Sequence, residues 1–287
     1  MANHETHKVD NLIQEHVCQE VQDSYRLYNG QIRYWKMSRL ITLMYHDVYI
    51  DNPDESGIAT ADCATYKISN IKFEEHLKAI RNLINEGAIQ DNQVRITFDD
   101  CGDSFFKIIM PLLDKYGFKG YFFIATGFIG QKGFLTESMI KELYANGHIV
   151  GAHSHSHQQR MHTLSDEILM EDWGRCMKYL SEIIGKPITE VSLPNGYQSE
   201  GIMSAVLNNG AKEIYTSNPL DEIKHTDKYN EYGRYAIRNN MTSDDVVALI
   251  MDHGLRSRMR LKFKLLGILK YLLGDTYLKL REKVLNR

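Results

Sequence analysis

The sequence predicts an α/β protein in which parallel strands alternate with helices. Six short apolar segments recur along the chain and are separated by stretches of helical length: LITLMYH, VRITF, GYFFIAT, GHIVGAH, EVSLPNG and EIYTSNP. Strands that are separated by helices pair in parallel through crossover connections. The chain has 287 residues, of which 43% are hydrophobic, so it can bury the core of one barrel or one doubly wound sheet with extensions.

Three of the intervening segments carry helix signals at their ends. The first places its apolar residues on one face and is expected to stop at Gly87. The second is expected to start at Thr136 as N-cap and to stop at Gly147. The third runs from Ser165 to Gly185. Both candidate folds place their chemistry at the carboxyl ends of the strands, where the polar clusters of this sequence fall.

Two segments lie outside the alternating region, which spans residues 38–253. Residues 1–37 are polar, with apolar residues at helical spacing, and predict an amphipathic helical arm. Residues 254–287 carry ten Lys or Arg against two acidic residues and predict basic amphipathic helices. Such a helix can lie on an anionic membrane surface, or it can close the end of the barrel, and the sequence leaves both alternatives open.

The composition narrows the class of protein. Basic and acidic residues number 34 and 37, a net charge of −3, so nothing global indicates a nucleic-acid partner. The first residues lack the apolar run of a secretory signal, and no stretch reaches the roughly 18 consecutive apolar residues of a membrane span. The four cysteines are scattered without C-x-x-C spacing. We therefore expect a cytoplasmic protein with reduced thiols.

Two adjacent carboxylates follow the predicted strand VRITF. Polar and apolar residues alternate in this strand, so we expect Asp99 and Asp100 at its end to diverge to opposite faces. One acid could then bind a metal ion while its neighbour handles a proton. The alternative is a pair of turn residues, because aspartate is common where strands end.

Three histidines follow another predicted strand, in GHIVGAHSHSHQQ. An extended chain would hold His153 and His157 about 13 Å apart, too far to share one ion. One helical turn would bring their Cβ atoms to about 5 to 6 Å, so we expect these two to be ligands and His155 to point away. One carboxylate with two imidazoles suits a catalytic zinc site with open positions. It also describes non-haem iron oxygenases, but the alternation of strands and helices argues against their all-β folds.

The motifs TFDD, HSHSH and SLPNGYQS occur in the order and approximate spacing of the polysaccharide deacetylases, and residues 40–241 resemble that family. The resemblance implies a distorted (β/α) barrel with parallel strands. It also implies a divalent ion, zinc in the first place, with Co²⁺, Ni²⁺ or Mn²⁺ as alternatives. By resemblance Asp99 is the general base, and the ion is held by Asp100, His153 and His157.

The third motif of the family aligns with residues 192–196. There the backbone N–H of Asn195 is expected to face the oxyanion, and Tyr197 is expected to contact substrate or oxyanion. This chain departs from the family at several positions. Cys101 replaces the glycine after the carboxylates, so the loop must be rebuilt, with Gly102 as its expected pivot. Ser192 replaces the arginine that holds the base.

The family's last two motifs are not evident in the sequence. No Asp-x-x-Asp-Trp segment occurs, and the histidine that would act as general acid is unclear. His253 and His46 are the candidates for that acid, although a histidine at either position more often has a structural role.

The sequence and the resemblance together predict a metal-dependent hydrolase that removes an acetyl group from an N-acetylated sugar, an intermediate of surface polysaccharide synthesis. A location at the inner face of the membrane would suit a lipid-linked substrate, with a peripheral contact through residues 254–287. Three alternatives remain: hydrolysis of a non-sugar amide, a glycosidase using paired acids, and a metal-binding member of the fold without turnover.

Overall fold

The structure is a computed structural model that describes residues 25–28, 31–34, 39–196 and 198–273. The chain forms two compact units, Met1–Arg39 and Leu40–Arg287. The predicted domain boundary after residue 253 does not divide the second unit; it falls at the first residue of a helix, His253–Leu273.

The described part of the first unit is a hairpin. Strand β1 (Tyr25–Tyr28) pairs antiparallel with β2 (Gln31–Tyr34). The helical prediction for residues 1–37 is therefore wrong where the structure describes them. Both strands contain tyrosine, a residue enriched in strands, and the sequence between them is Asn-Gly, a pair that favours two-residue hairpin turns. The helical spacing on which the prediction rested lies outside the described residues.

The described part of the second unit contains a sheet of nine strands. In chain order they are β3 (Ile41–Tyr45), β6 (Val94–Phe98), β7 (Gly120–Ile124), β8 (Ile149–Ala152), β9 (Glu190–Ser192), β10 (Glu213–Tyr215), β11 (Ile223–His225), β12 (Asn230–Tyr232) and β13 (Tyr235–Ala236). The spatial order is β11-β12-β10-β9-β8-β7-β6-β3-β13, with only β11 antiparallel to its neighbour. Strands β4 (Val48–Tyr49) and β5 (Ile68–Ser69) form a separate parallel pair. All six strands predicted from the sequence are confirmed.

The sheet curls because its two ends are joined by a short piece of chain. Strand β12 pairs with β10 and β13 pairs with β3, yet only Gly233 and Arg234 separate them. Glycine is required in this link, since a Cβ at position 233 would lie 2.5 Å from the carbonyl oxygen of Asn218. The result is the distorted barrel that the family resemblance implied.

Helices connect the strands and pack on the outer face of the sheet. They span Ala61–Ala64, Asn70–Asn85, Met110–Lys115 after a π-helical turn at Phe105–Ile109, Glu137–Ala145, Asp166–Ile184, Glu200–Asn208, Ser243–Met251 and His253–Leu273. The predicted N-caps are confirmed: the side chain of Thr136 accepts the N–H of Met139, and that of Ser165 accepts the N–H of Ile168. Gly185 ends its helix at φ 73°. No helix in the described ranges has the length and apolarity of a membrane span.

Strand β6 divides its side chains between the outer core and the barrel interior. Phe98 stacks on Phe122 of β7 and meets Phe73 of the helix Asn70–Asn85 edge to face. On the opposite face, Arg95 donates to the hydroxyl of Tyr215 at 2.5 Å inside the barrel. The interior side chains of β6 are thus polar, and this polar row leads to the carboxylates at the end of the strand.

Candidate metal centre and active site

The site begins where β6 ends and the chain turns sharply. Asp99 and Asp100 are buried, and the N–H of Asp99 donates to the carbonyl of Tyr45 in β3 at 3.1 Å. Asp100 has a φ of 96°, which residues other than glycine rarely adopt. The expected divergence of the two acids is therefore wrong. Because the backbone turns at Asp100, the two carboxylates lie 3.8 and 3.6 Å from the same atom, His153 Nε2.

The two ligand histidines are brought together by a bend, not by the predicted helical turn. Ser154 has a φ of 65° and His157 a φ of 49°, so the chain reverses within the motif. The side chain of Ser154 accepts the N–H of His157 at 3.0 Å and closes the bend. The rings of His153 and His157 then lie with their centroids 5.1 Å apart.

A carboxylate from a neighbouring helix holds the middle of this bend. Asp172, in the helix Asp166–Ile184, accepts the N–H groups of His155 and Ser156 at 2.8 and 2.9 Å. The ring of His155 points away from the cluster, as predicted, and its Nδ1 lies 2.9 Å from Thr126 Oγ1. Asp172 therefore positions the loop that carries the ligands, a role that the sequence did not indicate.

Asp100, His153 and His157 can hold one metal ion. Their ligand atoms all lie within 4.8 Å of one another. The Nδ1 of His153 lies 2.9 Å from the carbonyl of Ser192, which leaves its Nε2 directed at the cluster. Burial lowers the pKa of His153 to about 4, so its imidazole is neutral, the form that binds a metal. The three side chains therefore fit a divalent ion with open coordination positions.

The charge of Asp100 is stabilised by the groups around it. Burial alone raises the pKa of this carboxyl. The neighbouring histidines, first among them His157 through its hydrogen bond, outweigh burial and hold the net pKa below its ordinary value. Asp100 is therefore an ionised oxygen donor at neutral pH.

The second carboxylate, Asp99, is held by a buried guanidinium. Arg234 is 1% exposed, and its Nη1 and Nη2 donate to Oδ1 and Oδ2 of Asp99 at 2.6 and 2.8 Å. Ser192 Oγ donates to Asp99 Oδ2 at 3.0 Å and accepts from Arg234 Nη2 at 2.7 Å. The Nε of Arg234 donates to the carbonyl of Thr216 at 3.0 Å. Asp99 is thus fixed beside the metal ligands without being one of them.

Arg234 also sets the protonation state of this acid. Burial raises the pKa of Asp99, but the groups around it, first among them the Arg234 guanidinium, outweigh burial and hold the pKa below its ordinary value. Sequence reasoning missed Arg234, which lies in the short link between β12 and β13. A signal was present, because a lone arginine stands among tyrosines and apolar residues in EYGRYAI.

Of the two histidines considered as general acid, His46 lies at the site. It follows β3 and stacks on Tyr66 with centroids 4.6 Å apart. Its charge acts on both Asp99 and Asp100. Its Nδ1 is buried with no hydrogen-bond partner among the described residues. A buried imidazole nitrogen without a protein partner is an unsatisfied polar group, which is unusual in a folded protein and calls for an explanation.

His253 does not lie at the site, and the prediction of a catalytic role for it is wrong. It is the exposed first residue of its helix. Three positions along, Arg256 is buried against Asp221, whose carbonyl accepts the N–H of Leu40 at the start of β3. His253 therefore belongs to the opposite end of β3 from the one that leads to the carboxylates.

Asn195 follows β9, at the strand edge that carries the cluster, and has a φ of 57°. The non-glycine residues with positive φ in the described ranges are Asp100, Ser154, His157 and Asn195. Two of them are ligand candidates, so the backbone strain of this chain is concentrated at the site. The oxyanion role of Asn195 stays a prediction. Tyr197 lies outside the described residues.

A family model described as polysaccharide deacetylase matches residues 86–214. The matched range contains both carboxylates, both ligand histidines and Ser192. Over this range the chain is similar to the polysaccharide deacetylase family. A relative, the poly-beta-1,6-N-acetyl-D-glucosamine N-deacetylase of Staphylococcus aureus, is 22% identical over 228 residues, which cover 69% of this chain and 78% of that protein.

Two solved structures share the fold of this chain. A polysaccharide deacetylase from Bacillus cereus aligns with a TM-score of 0.62 and 19% identity, over 77% of this chain and 71% of that one. IcaB from Ammonifex degensii aligns with a TM-score of 0.59 and 21% identity, over 74% and 97% of the two chains. These similarities confirm the distorted barrel.

The departure from the family glycine at Cys101 is accommodated in the core. Cys101 is fully buried, and its carbonyl accepts the N–H of Leu135 at 3.0 Å. The glycine requirement has moved one position along the chain: a Cβ at Gly102 would lie 1.7 Å from the carboxylate of Asp47. The expectation that the loop is rebuilt at Gly102 is thus met by a close approach, while the positive φ falls on Asp100.

The departure at Ser192 is compensated from another strand. Where the resemblance implied an arginine on the third motif, this chain has a serine whose hydroxyl contacts both Asp99 and Arg234. The guanidinium that holds Asp99 comes instead from Arg234, in the link between β12 and β13. The small side chain of Ser192 leaves the space that Arg234 occupies, so the two positions act together.

Proposed function

We propose that this protein is a metal-dependent N-deacetylase that hydrolyses the acetamido group of an N-acetylated sugar in surface polysaccharide synthesis. The observation that carries the proposal is the fixed carboxylate: Asp99 is clamped by Arg234 and lies 3.8 Å from Nε2 of the ligand candidate His153. A member of the fold without turnover has no need of a buried, ionised acid that is not itself a ligand.

The ion would be held by Asp100, His153 and His157. A divalent ion held there, which we propose is zinc, would lower the pKa of a bound water and would polarise the acetyl carbonyl. Two serines would keep two of its ligands oriented: the backbone carbonyl of Ser192 accepts from His153 Nδ1, and the side chain of Ser154 closes the bend before His157. The donor set of one carboxylate and two imidazoles leaves room for water and substrate.

Asp99 acts as the general base. The pKa of its carboxyl is held below its ordinary value, so at neutral pH it is ionised and can accept the proton of the attacking water. Arg234 and Ser192 fix both of its oxygens, so the carboxylate cannot rotate onto the ion. Attack on the acetyl carbon and departure of acetate then require a second proton, delivered to the sugar nitrogen.

His46 supplies that proton. It stands beside the carboxylates at the end of β3, with Nδ1 free of a protein partner among the described residues. When it carries a proton, an imidazole at this place can release that proton to the leaving amine. The products are acetate and a free amino sugar.

The substrate class rests on the comparisons together with the site. The Staphylococcus aureus relative is named for a polymer of β-1,6-linked N-acetyl-D-glucosamine, and we propose an N-acetylglucosamine glycan for this chain. A cytoplasmic location stays a prediction from the sequence.

The test is acetate release from β-1,6-linked N-acetylglucosamine oligosaccharides. We expect acetate to appear with the wild type, to stop with a strong chelator and to return when Zn²⁺ is added. In Asp99→Asn the metal content by elemental analysis should stay unchanged while acetate release falls by about 10² to 10⁴ fold. Retained metal with lost turnover separates a base from a ligand.

The matched control is Asp103→Asn in the same loop. Asp103 is buried to a similar degree but is paired with Lys107 at 2.5 Å, away from the ligand cluster. It should keep both metal and activity. Acetate release that survives the chelator, or that is equal in Asp99→Asn and the wild type, contradicts the proposal.

A further inference from the structure

The last described helix, His253–Leu273, begins docked against the barrel. Arg256 is buried, and its Nη1 donates to the carbonyls of Leu249 and Ile250 at 2.9 and 2.7 Å, which caps the preceding helix. Its Nε donates to Asp221 at 2.9 Å. Arg260 reaches the other oxygen of Asp221 at 2.7 Å. These bonds fix the start of the helix and hence the direction in which it runs.

Further along, the helix leaves the barrel. All residues from 261 to 267 are exposed. Nine large hydrophobic side chains of the described residues are exposed, and four of them fall within this stretch: Leu261 at 58%, Phe263 at 44%, Leu265 at 57% and Leu266 at 37%. Residues 261–267 therefore do not close the end of the barrel, which was one of the two alternatives that the sequence left open.

The exposed stretch is also positively charged. Lys262 and Lys264 alternate with its apolar residues, and neither makes an ion pair with a carboxylate among the described residues. Arg258, just before the stretch, is 73% exposed and reaches Asp252 only at 3.8 Å. In the sequence from 254 to 287, ten basic residues stand against two acidic ones. The acidic residues of the segment are therefore too few to neutralise its positive charge.

We propose that the exposed part of this helix, residues 261–267, docks onto a membrane surface rich in anionic lipid. A helix of this kind lies in the plane of the interface, with leucine side chains among the acyl chains and lysines at the lipid phosphates. The spacing places Leu261 and Leu265 on one face, with Lys262 and Lys264 at its margins.

A membrane fits this surface better than a second copy of the chain. Self-association through the helix would bring the lysines of two copies together without a neutralising charge, whereas anionic lipid supplies that charge. The docked start of the helix, at the end of β3 opposite the carboxylates, separates this surface from the catalytic side chains. Membrane binding and acetate release can therefore fail independently.

The test is co-sedimentation of the full chain with vesicles. We expect binding to vesicles of phosphatidylcholine mixed with phosphatidylglycerol, little binding to phosphatidylcholine alone, and weakening with added salt. Lys262→Glu with Lys264→Glu should reduce the affinity at least about tenfold. Leu261→Asp with Leu265→Asp should reduce it by a similar factor, since these leucines would no longer enter the interface.

The control is a single substitution of the same kind on an exposed apolar residue elsewhere. Ile71 is 68% exposed, so Ile71→Asp tests whether any surface aspartate weakens binding. It should bind anionic vesicles as the wild type does. Metal content and the circular dichroism spectrum serve as checks that each variant folds.

Three outcomes overturn the proposal. The wild type could remain in the supernatant with anionic vesicles. The variants at 261 and 265 could bind as well as the wild type does. Sedimentation velocity without lipid could show a dimer that Leu265→Asp abolishes, in which case the surface binds a second copy of the chain.

Discussion

Two buried ion pairs between arginine and aspartate lie at opposite ends of the barrel and serve different purposes. At the carboxyl ends of the strands, Arg234 holds Asp99 through two hydrogen bonds. At the other end, Arg256 binds Asp221 through Nε, with Arg260 on the second oxygen. All four partners of the two main pairs are almost fully buried.

The difference between the pairs is in what else the aspartate faces. Asp221 is neutralised by two guanidiniums, and its pair ties the start of a helix to the barrel. Asp99 has one guanidinium, and it also lies 3.8 Å from a ligand histidine, next to a residue with strained backbone. The same ion pair is thus an anchor in one place and a support for a base in the other, and its neighbours decide which.

The largest effect on metal binding and activity is expected at the ligand histidines, which lie near Asp99 and not near Asp221. His153→Ala and His157→Ala should each remove the bound ion and reduce acetate release to background, because two protein ligands do not retain the ion against dilution. Elemental analysis of the purified protein measures this directly. The control is His155→Ala, whose ring faces Thr126 and which should keep the ion. Unchanged metal in His153→Ala contradicts the ligand set.

The next largest effect is expected at His46, the proposed general acid, which lies near Asp99 and has no counterpart near Asp221 among the described residues. His46→Gln should reduce acetate release from an N-acetyl sugar by about 10² to 10⁴ fold, because the leaving amine is no longer protonated. An activated ester such as nitrophenyl acetate has a leaving group that needs no proton, so its hydrolysis should change much less. His225→Gln, at an exposed histidine far along the chain, is the control. An equal loss on both substrates would indicate a structural role for His46.

A smaller effect is expected from the arginine itself. Arg234→Gln leaves Asp99 able to turn, and a displacement of about 1 Å of a catalytic group costs roughly 10² fold in rate. We expect the loss in kcat with KM and metal content little changed. Arg234→Lys keeps the charge but not the two-pronged contact, and should recover part of the rate. Loss of metal or a rise in KM alone would show that Arg234 does not act through Asp99.

Site residues that belong to a local pattern could be predicted from the sequence, whereas a residue that acts on a partner far away in the chain could not. The acids and histidines each follow a strand whose pattern is local, and β6 lies at the predicted residues, 94–98. Arg234 acts on an acid 135 positions away, and β11 to β13 have two or three residues each, too few for a periodic pattern. The turn at Asp100 was also missed, because strand alternation carries no information on the residue after the strand ends.

The smallest effect on activity is expected at the pair of Arg256 and Asp221, where the effect on the free energy of unfolding is large. Arg256→Met leaves Asp221 with one partner and two helix carbonyls without donors, which should cost about 3 to 5 kcal/mol of unfolding free energy. The melting temperature should then fall on the order of 10 °C. Below that temperature kcat for acetate release should stay within about twofold of the wild type, since no residue of the site contacts this pair. Calorimetry and a rate assay on the same preparation measure both. A large loss of kcat in folded, metal-loaded Arg256→Met would show that the two ends of the barrel are coupled, and the contrast between anchor and support would fail.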